Sequence, residues 1–91
     1  MKVTDVRVRI VESESRLRGI VTITFDDSFV VHDIRVIEGE NGLFVAMPSK
    51  KIPNGTFIDV AHPIHAEMRK HIEESIIAAY HKAVKDQAAQ E

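Results

Sequence analysis

The feature that most constrains this chain is a change of hydrophobic period at His62-Pro63. Upstream, apolar residues come mostly at every second position, as in Val6, Val8 and Ile10 set between Asp5, Arg7 and Arg9. Downstream they come at every fourth, as Ile64, Met68, Ile72, Ile76 and Tyr80, with Ile77, Ala79, Ala83 and Val84 widening the stripe. Period two places alternate side chains on opposite faces of a strand, whereas a spacing of four keeps them on one face of a helix. A run of strands followed by one helix defines an α+β fold: an antiparallel sheet of four to five strands over residues 3–61 and a long amphipathic helix over 64–86. The whole chain, 1–91, is expected to form a single domain.

Each proposed strand is bounded by turn chemistry. The first covers Thr4 to Ile10, and the polar stretch from Glu12 to Arg16 ends it. The second runs from Leu17 to Phe25, with Leu17, Val21, Ile23 and Phe25 on one face, and Asp26-Asp27-Ser28 closes it with side-chain oxygens suited to bonding turn amides. In the third, Phe29 to Ile37, an even face of Val30, His32, Ile34 and Val36 opposes an odd face mixing Phe29, Val31 and Ile37 with Asp33 and Arg35. The Asn41-Gly42 step then reverses the chain into Leu43 to Met47, which is apolar on both faces. A further run, Thr56 to Ala61, is expected to form a hairpin with that fourth strand across a connection of about eight residues, Pro48 to Gly55. In the helix, Pro63 suits the first turn, Glu67 the positive end of the dipole and Lys82 and Lys85 the negative end, and the tail from Asp86 is expected to fray.

One helix covers a band only about 10 Å wide, so a sheet with apolar residues on both faces needs a second cover. A symmetric homodimer supplies it, and the expected interface is Phe44, Val45 and Met47. A chain of 91 residues also has a small core, which favours self-association.

Charge and composition narrow the function. The absence of cysteine removes disulfides and thiolate metal sites, and no apolar run approaches the length of a membrane span. With no signal-peptide pattern at Met1-Lys2-Val3, the expected location is cytoplasmic. A net charge of −2 argues against polyanion binding driven by the whole molecule, so the distribution of cations decides. Lys50-Lys51 is forced outward between an apolar run ending in Pro48 and the reversal at Asn54-Gly55. These lysines are the candidate phosphate contacts, with Arg7, Arg9 and Arg35 projecting from strands as an extension.

Catalytic and metal readings are weaker. His62 and His65 straddle the junction into the helix, with Glu67 and His71 beyond, and they read as capping and surface groups. His32 reads as a core or interface histidine with a hydrogen-bonded neighbour, and Asp26-Asp27 and Glu73-Glu74 lack any sign of convergence. No enzyme, cofactor or metal site is expected.

Three stretches carry a resemblance: Val31 to Gly39, Gly42 to Ser49, and Asp59 to Ile64. With the N-terminal Val3-Thr4-Asp5-Val6-Arg7, they resemble, in order and spacing, the bacterial stage V sporulation protein G family of septation proteins. The resemblance implies a cytoplasmic α+β homodimer that regulates septation, sporulation and gene expression as a site-specific DNA-binding protein, with RNA as a further ligand. It places the family's basic element at Lys50-Lys51, where many relatives carry lysine followed by arginine. Lysine lacks the arginine fork, so phosphate contact is retained at position 51 without bidentate reading of guanine. The alternative is an adaptor that docks division or sporulation regulators through the Phe44 and Met47 region or the polar helix face, with no nucleic acid involved.

Overall fold

A computed structural model describes residues 1–90, with side chains described through Ala88. The elements are β1 (Val3–Ile10), β2 (Leu17–Phe25), β3 (Phe29–Gly39), β4 (Gly42–Ala46), β5 (Ser49–Lys51), β6 (Phe57–Asp59) and α1 (Ala66–Gln90). The first four strands make one antiparallel sheet in the order β1-β2-β3-β4, and β5 and β6 make a separate two-stranded sheet. The α+β class and the strands-then-helix order are as the period change implies.

The helix lies on one face of the sheet. Val21, Ile23 and Phe25 of β2, Ile34 and Val36 of β3, Val45 and Met47 at β4, and Ile72 and Ile76 of the helix form the buried core. Met68, Ile77 and Tyr80 flank it from the helix, and Val6 and Val8 from β1. Gly19 is part of this packing: a Cβ there would sit 3.4 Å from the Tyr80 ring, in van der Waals contact, so the aromatic lies directly against the strand and leaves no room for a branched side chain.

Four expectations change. The fourth strand does not pair with the run after Asn54-Gly55; that run pairs with Ser49–Lys51, three residues further along the chain than Ala46. Met47 and Pro48 break the strand between them, as a proline without an N–H should. Helix α1 begins at Ala66, with Pro63 and the 94% exposed Ile64 outside it. His65 is the cap: its ring Nδ1 accepts the Met68 amide at 3.4 Å, and its carbonyl accepts the Arg69 amide at 3.1 Å. The helix also continues through the tail to Gln90, so its last turn lacks the basic residues expected of Lys82 and Lys85.

The third change concerns β3. Val21 opposes Ile34 while Ile23 opposes Val31, so β3 carries one extra residue, and Asp33 adopts a left-handed φ of 64° there. This bulge switches the alternation midway. Phe29 and Val31 share the helix side with Ile34 and Val36, and His32 is exposed on the other face, with its Nδ1 3.2 Å from the Thr22 hydroxyl. His32 is therefore a surface residue, and much of the apparent two-sidedness of β3 is the bulge. The fourth change is that Val45 and Met47, expected at a dimer interface, are buried in the protomer's own core.

Tight connections are tied down by backbone groups. Asp26 and Asp27 both have φ of 51°, and the strain is held by the Asp26 amide donating to the Lys2 carbonyl at 2.8 Å and the Asp27 amide to the Thr4 hydroxyl at 3.0 Å. Asp26 also accepts the Lys2 amide at 3.0 Å. The aspartate pair is thus a turn that anchors the start of β1. Arg18 does comparable work at the other end of the sheet, donating to Glu38 at 2.8 Å and to the Ser15 carbonyl at 2.6 Å.

Candidate nucleic-acid interface

The chain beyond Pro48 leaves the body as an arm. Its base is closed by the Val60 amide donating to the Pro48 carbonyl at 2.7 Å. Its tip is a turn in which the Gly55 amide donates to the Ile52 carbonyl at 2.9 Å, with Pro53 and Asn54 in the central positions and Gly55 at φ 87°. The Asn54 side chain accepts the Thr56 amide at 2.9 Å, and the Ile52 amide donates back to the Thr56 carbonyl at 2.9 Å. Proline, asparagine and glycine each occupy a position their backbone preferences favour, so the turn is locally encoded.

Lys50 and Lys51 lie on strand β5 of this arm, where the sequence suggested a long loop. The consequence is directional. Lys50 opposes Ile58 and Lys51 opposes Phe57, so the two ammonium groups project from opposite faces of the hairpin. Both lysines are exposed, and so is every residue of β6. Phe57, at 64% exposure, is a part of this surface that sequence reasoning passed over as a strand residue. Its signal was the two-residue alternation across Asn54-Gly55, which pairs it with a lysine.

The arginines are elsewhere. Arg9 opposes Ile20, which opposes Arg35, which opposes Ala46, so these side chains form one row across the face of the sheet away from the helix. Arg7 lies in the next row, opposite Thr22, with its Nε 3.0 Å from Asp5. Strand β1 is three strand spacings, about 14 Å, from β4, where the arm begins. The structure thus divides the four predicted cations between the arm and the far strand, and Arg35 stands between them. Phe44 shares the arginine face; at 47% exposure its ring lies 3.0 Å from where a Gly39 Cβ would be.

Two further features border the arm. Strand β4 pairs only with residues 35–39 of β3, and among the described residues no strand pairs with that edge of Phe29–Ile34. On the helix side, Met1, Phe29, Val60, Ile64 and Met68 line an open apolar cleft of about 490 Å³. The histidines around it serve the backbone: His62 Nδ1 is 3.0 Å from the Pro63 carbonyl, and His65 caps the helix. No three His, Asp or Glu side chains converge among the described residues.

The described residues thus form a four-stranded sheet backed by one helix, a small α+β protein with a hairpin arm that exposes two lysines. Comparison with known proteins gives this class a family. The SpoVG family model matches residues 1–82, and the chain belongs to that family. The protein "Putative septation protein SpoVG" of Acholeplasma laidlawii is 74% identical over 88 residues, covering 97% of this chain and 94% of that protein. Its namesake in Clostridioides difficile is 60% identical over 84 residues, covering 92% and 91%. The one in Clostridium beijerinckii is 54% identical over 90 residues, covering 99% of both chains.

Proposed function

We propose that this protein is a homodimeric regulator of septation, sporulation and gene expression that acts by binding DNA, and RNA as a further ligand, through its β5-β6 arms. The septation assignment follows from the names its relatives carry. The observation that carries the nucleic-acid reading is the exposed arm with lysines at 50 and 51. Lysine binds phosphate as a point charge and positions a backbone without reading bases. Arg9, Arg35 and Arg7 offer a second contact on the open face of the sheet, reached by a ligand long enough to cross it.

Dimerisation rests on the apolar surface that one protomer leaves open. With Val45 and Met47 inside the core, Phe44 is the one residue of the expected interface still available. The unpaired edge of Phe29–Ile34, with Phe29 and Val30 exposed, adds to it. An open strand edge is a template for another strand, and a two-fold pair would place four arm lysines on one body. The protein is taken as cytoplasmic; no helix among the described residues is long and apolar enough to cross a membrane.

The test is binding of labelled duplex DNA and of RNA by wild type and by Lys50→Ala/Lys51→Ala, with molecular mass measured by light scattering. The expected result is weaker binding by the variant at unchanged mass. Unchanged affinity would remove the arm from the site. The apolar cleft beside Ile64 supports a second reading, a protein adaptor of the division or sporulation machinery. Under that reading, partners recovered with the protein survive nuclease treatment.

A further inference from the structure

The arm raises an electrostatic difficulty. The chain carries a net charge of −2, and each arm presents only one lysine on each face. Phosphate contact through one cation at a time releases few counterions and so contributes little affinity. A ligand held on one face of the arm therefore needs a second, non-ionic contact.

Phe57 has the placement to supply it. The residue sits directly opposite Lys51 in the β5-β6 register, with cross-strand Cβ atoms about 5 Å apart. Its ring is 64% exposed and outside the core, and among the described residues it has no aromatic partner. A short two-stranded hairpin gains no packing from a side chain held in solvent, so the fold does not account for the phenylalanine. Asp59 shares the face two pairs further from the turn and repels phosphate, which confines a polyanion backbone to the Lys51 end. Ring, cation and carboxylate thus form a graded surface: base over Phe57, phosphate at Lys51.

We propose that Phe57 is a base-stacking platform acting with Lys51, and that the arm takes unpaired nucleotides, a single strand or a melted or looped segment. The inference rests on the reading of the arm as a nucleic-acid contact. It follows from what each form of nucleic acid exposes. A duplex shows base edges in its grooves and keeps base faces stacked inside, so an exposed ring has no face to meet. A single strand offers faces that stack on aromatic side chains with little regard to sequence. That mode suits a lysine at position 51, which contributes charge without a guanine-reading fork.

The experiment compares wild type, Phe57→Leu and Phe57→Trp with three probes: a labelled oligothymidylate, an oligouridylate of equal length and a blunt-ended duplex. Leucine keeps an apolar strand residue and removes the aromatic face. The expected result is a loss of roughly 5- to 150-fold for Phe57→Leu on the single strands, the range measured for one stacked base, with duplex affinity unchanged. The chain has no tryptophan, so Phe57→Trp places a lone indole at the site, and stacking quenches its fluorescence as oligothymidylate is added. If Phe57→Leu binds all three probes as wild type does, the platform is refuted while the arm remains a phosphate contact. If wild type binds none of the three, the reading of the arm fails as well. A changed molecular mass in Phe57→Leu would make the ring a contact between protomers and would overturn the proposal.

Discussion

The helix-covered face of the main sheet and the β5-β6 arm are built from the same kinds of residue and held in different ways. Under the helix, Ile23, Val36 and Ile76 are fully excluded from water, and each is fixed by neighbours from other elements. On the arm, Phe57 and Ile58 are exposed, and the structure is kept by a locally encoded turn, three cross-strand pairs and one hydrogen bond at the base. Burial makes the first region stable and chemically inert. The second has little stability of its own and leaves the Lys50, Lys51 and Phe57 side chains exposed. The difference is that of a packed scaffold and an exposed arm, the kind of segment on which the proposed contacts would lie.

That contrast is most easily broken by truncation. Ile76→Ala removes a side chain with 0% exposure and should cost about 2–5 kcal/mol in denaturant unfolding. Ile58→Ala on the arm should change stability by less than about 0.5 kcal/mol. Equal costs would mean that the arm is packed as the core is. Gly19→Val comes next, at about 1–3 kcal/mol, because the added branches must displace the Tyr80 ring. Thermal melts followed by circular dichroism would report it, and a neutral result would show that the ring shifts freely.

Arg18→Ala sharpens the comparison from the scaffold side. It removes the 2.8 Å contact with Glu38 and the bond to the Ser15 carbonyl, a loss of about 1 kcal/mol for a partly exposed group. Its effect on nucleic-acid affinity should be no more than twofold. Smallest in stability are Lys50→Ala and Lys51→Ala, each within about 0.5 kcal/mol of wild type. Because the lysines face opposite ways, the single variants should differ in affinity, with Lys51→Ala the more damaging on single strands. Identical losses on every probe would argue that the arm twists enough to bring both cations to one face.

Much of the scaffold was legible in the sequence. The alternation of β1 and β2 and the spacing of four from Met68 to Tyr80 follow from residue periods, and the exposure of Lys50-Lys51 from Pro48 and the Asn54-Gly55 reversal on either side. What escaped notice came from single backbone events that a pattern of alternation does not record. The left-handed Asp33 switches the face of β3, which moved His32 from an expected interior position to the surface. The break at Met47-Pro48 gave the run after Gly55 a different partner, which turned a supposed loop into strand β5. The His65 cap started the helix after Ile64, although Ile64 fits the apolar spacing. Burial of Val45 and Met47 was missed for a different reason: a strand apolar on both faces does not say which face its own helix takes.

The most direct test of the arm as the contact surface is the salt dependence of DNA affinity, measured for wild type and Lys50→Ala/Lys51→Ala by fluorescence anisotropy. The two lysines of each arm face opposite ways, so a dimer on duplex DNA engages one from each arm, which contributes about −2 to the slope of log affinity against log salt. The account predicts a wild-type slope at least that steep, made shallower by that amount in the variant. A slope that is the same in both proteins would contradict it and place the phosphate contacts elsewhere on the body.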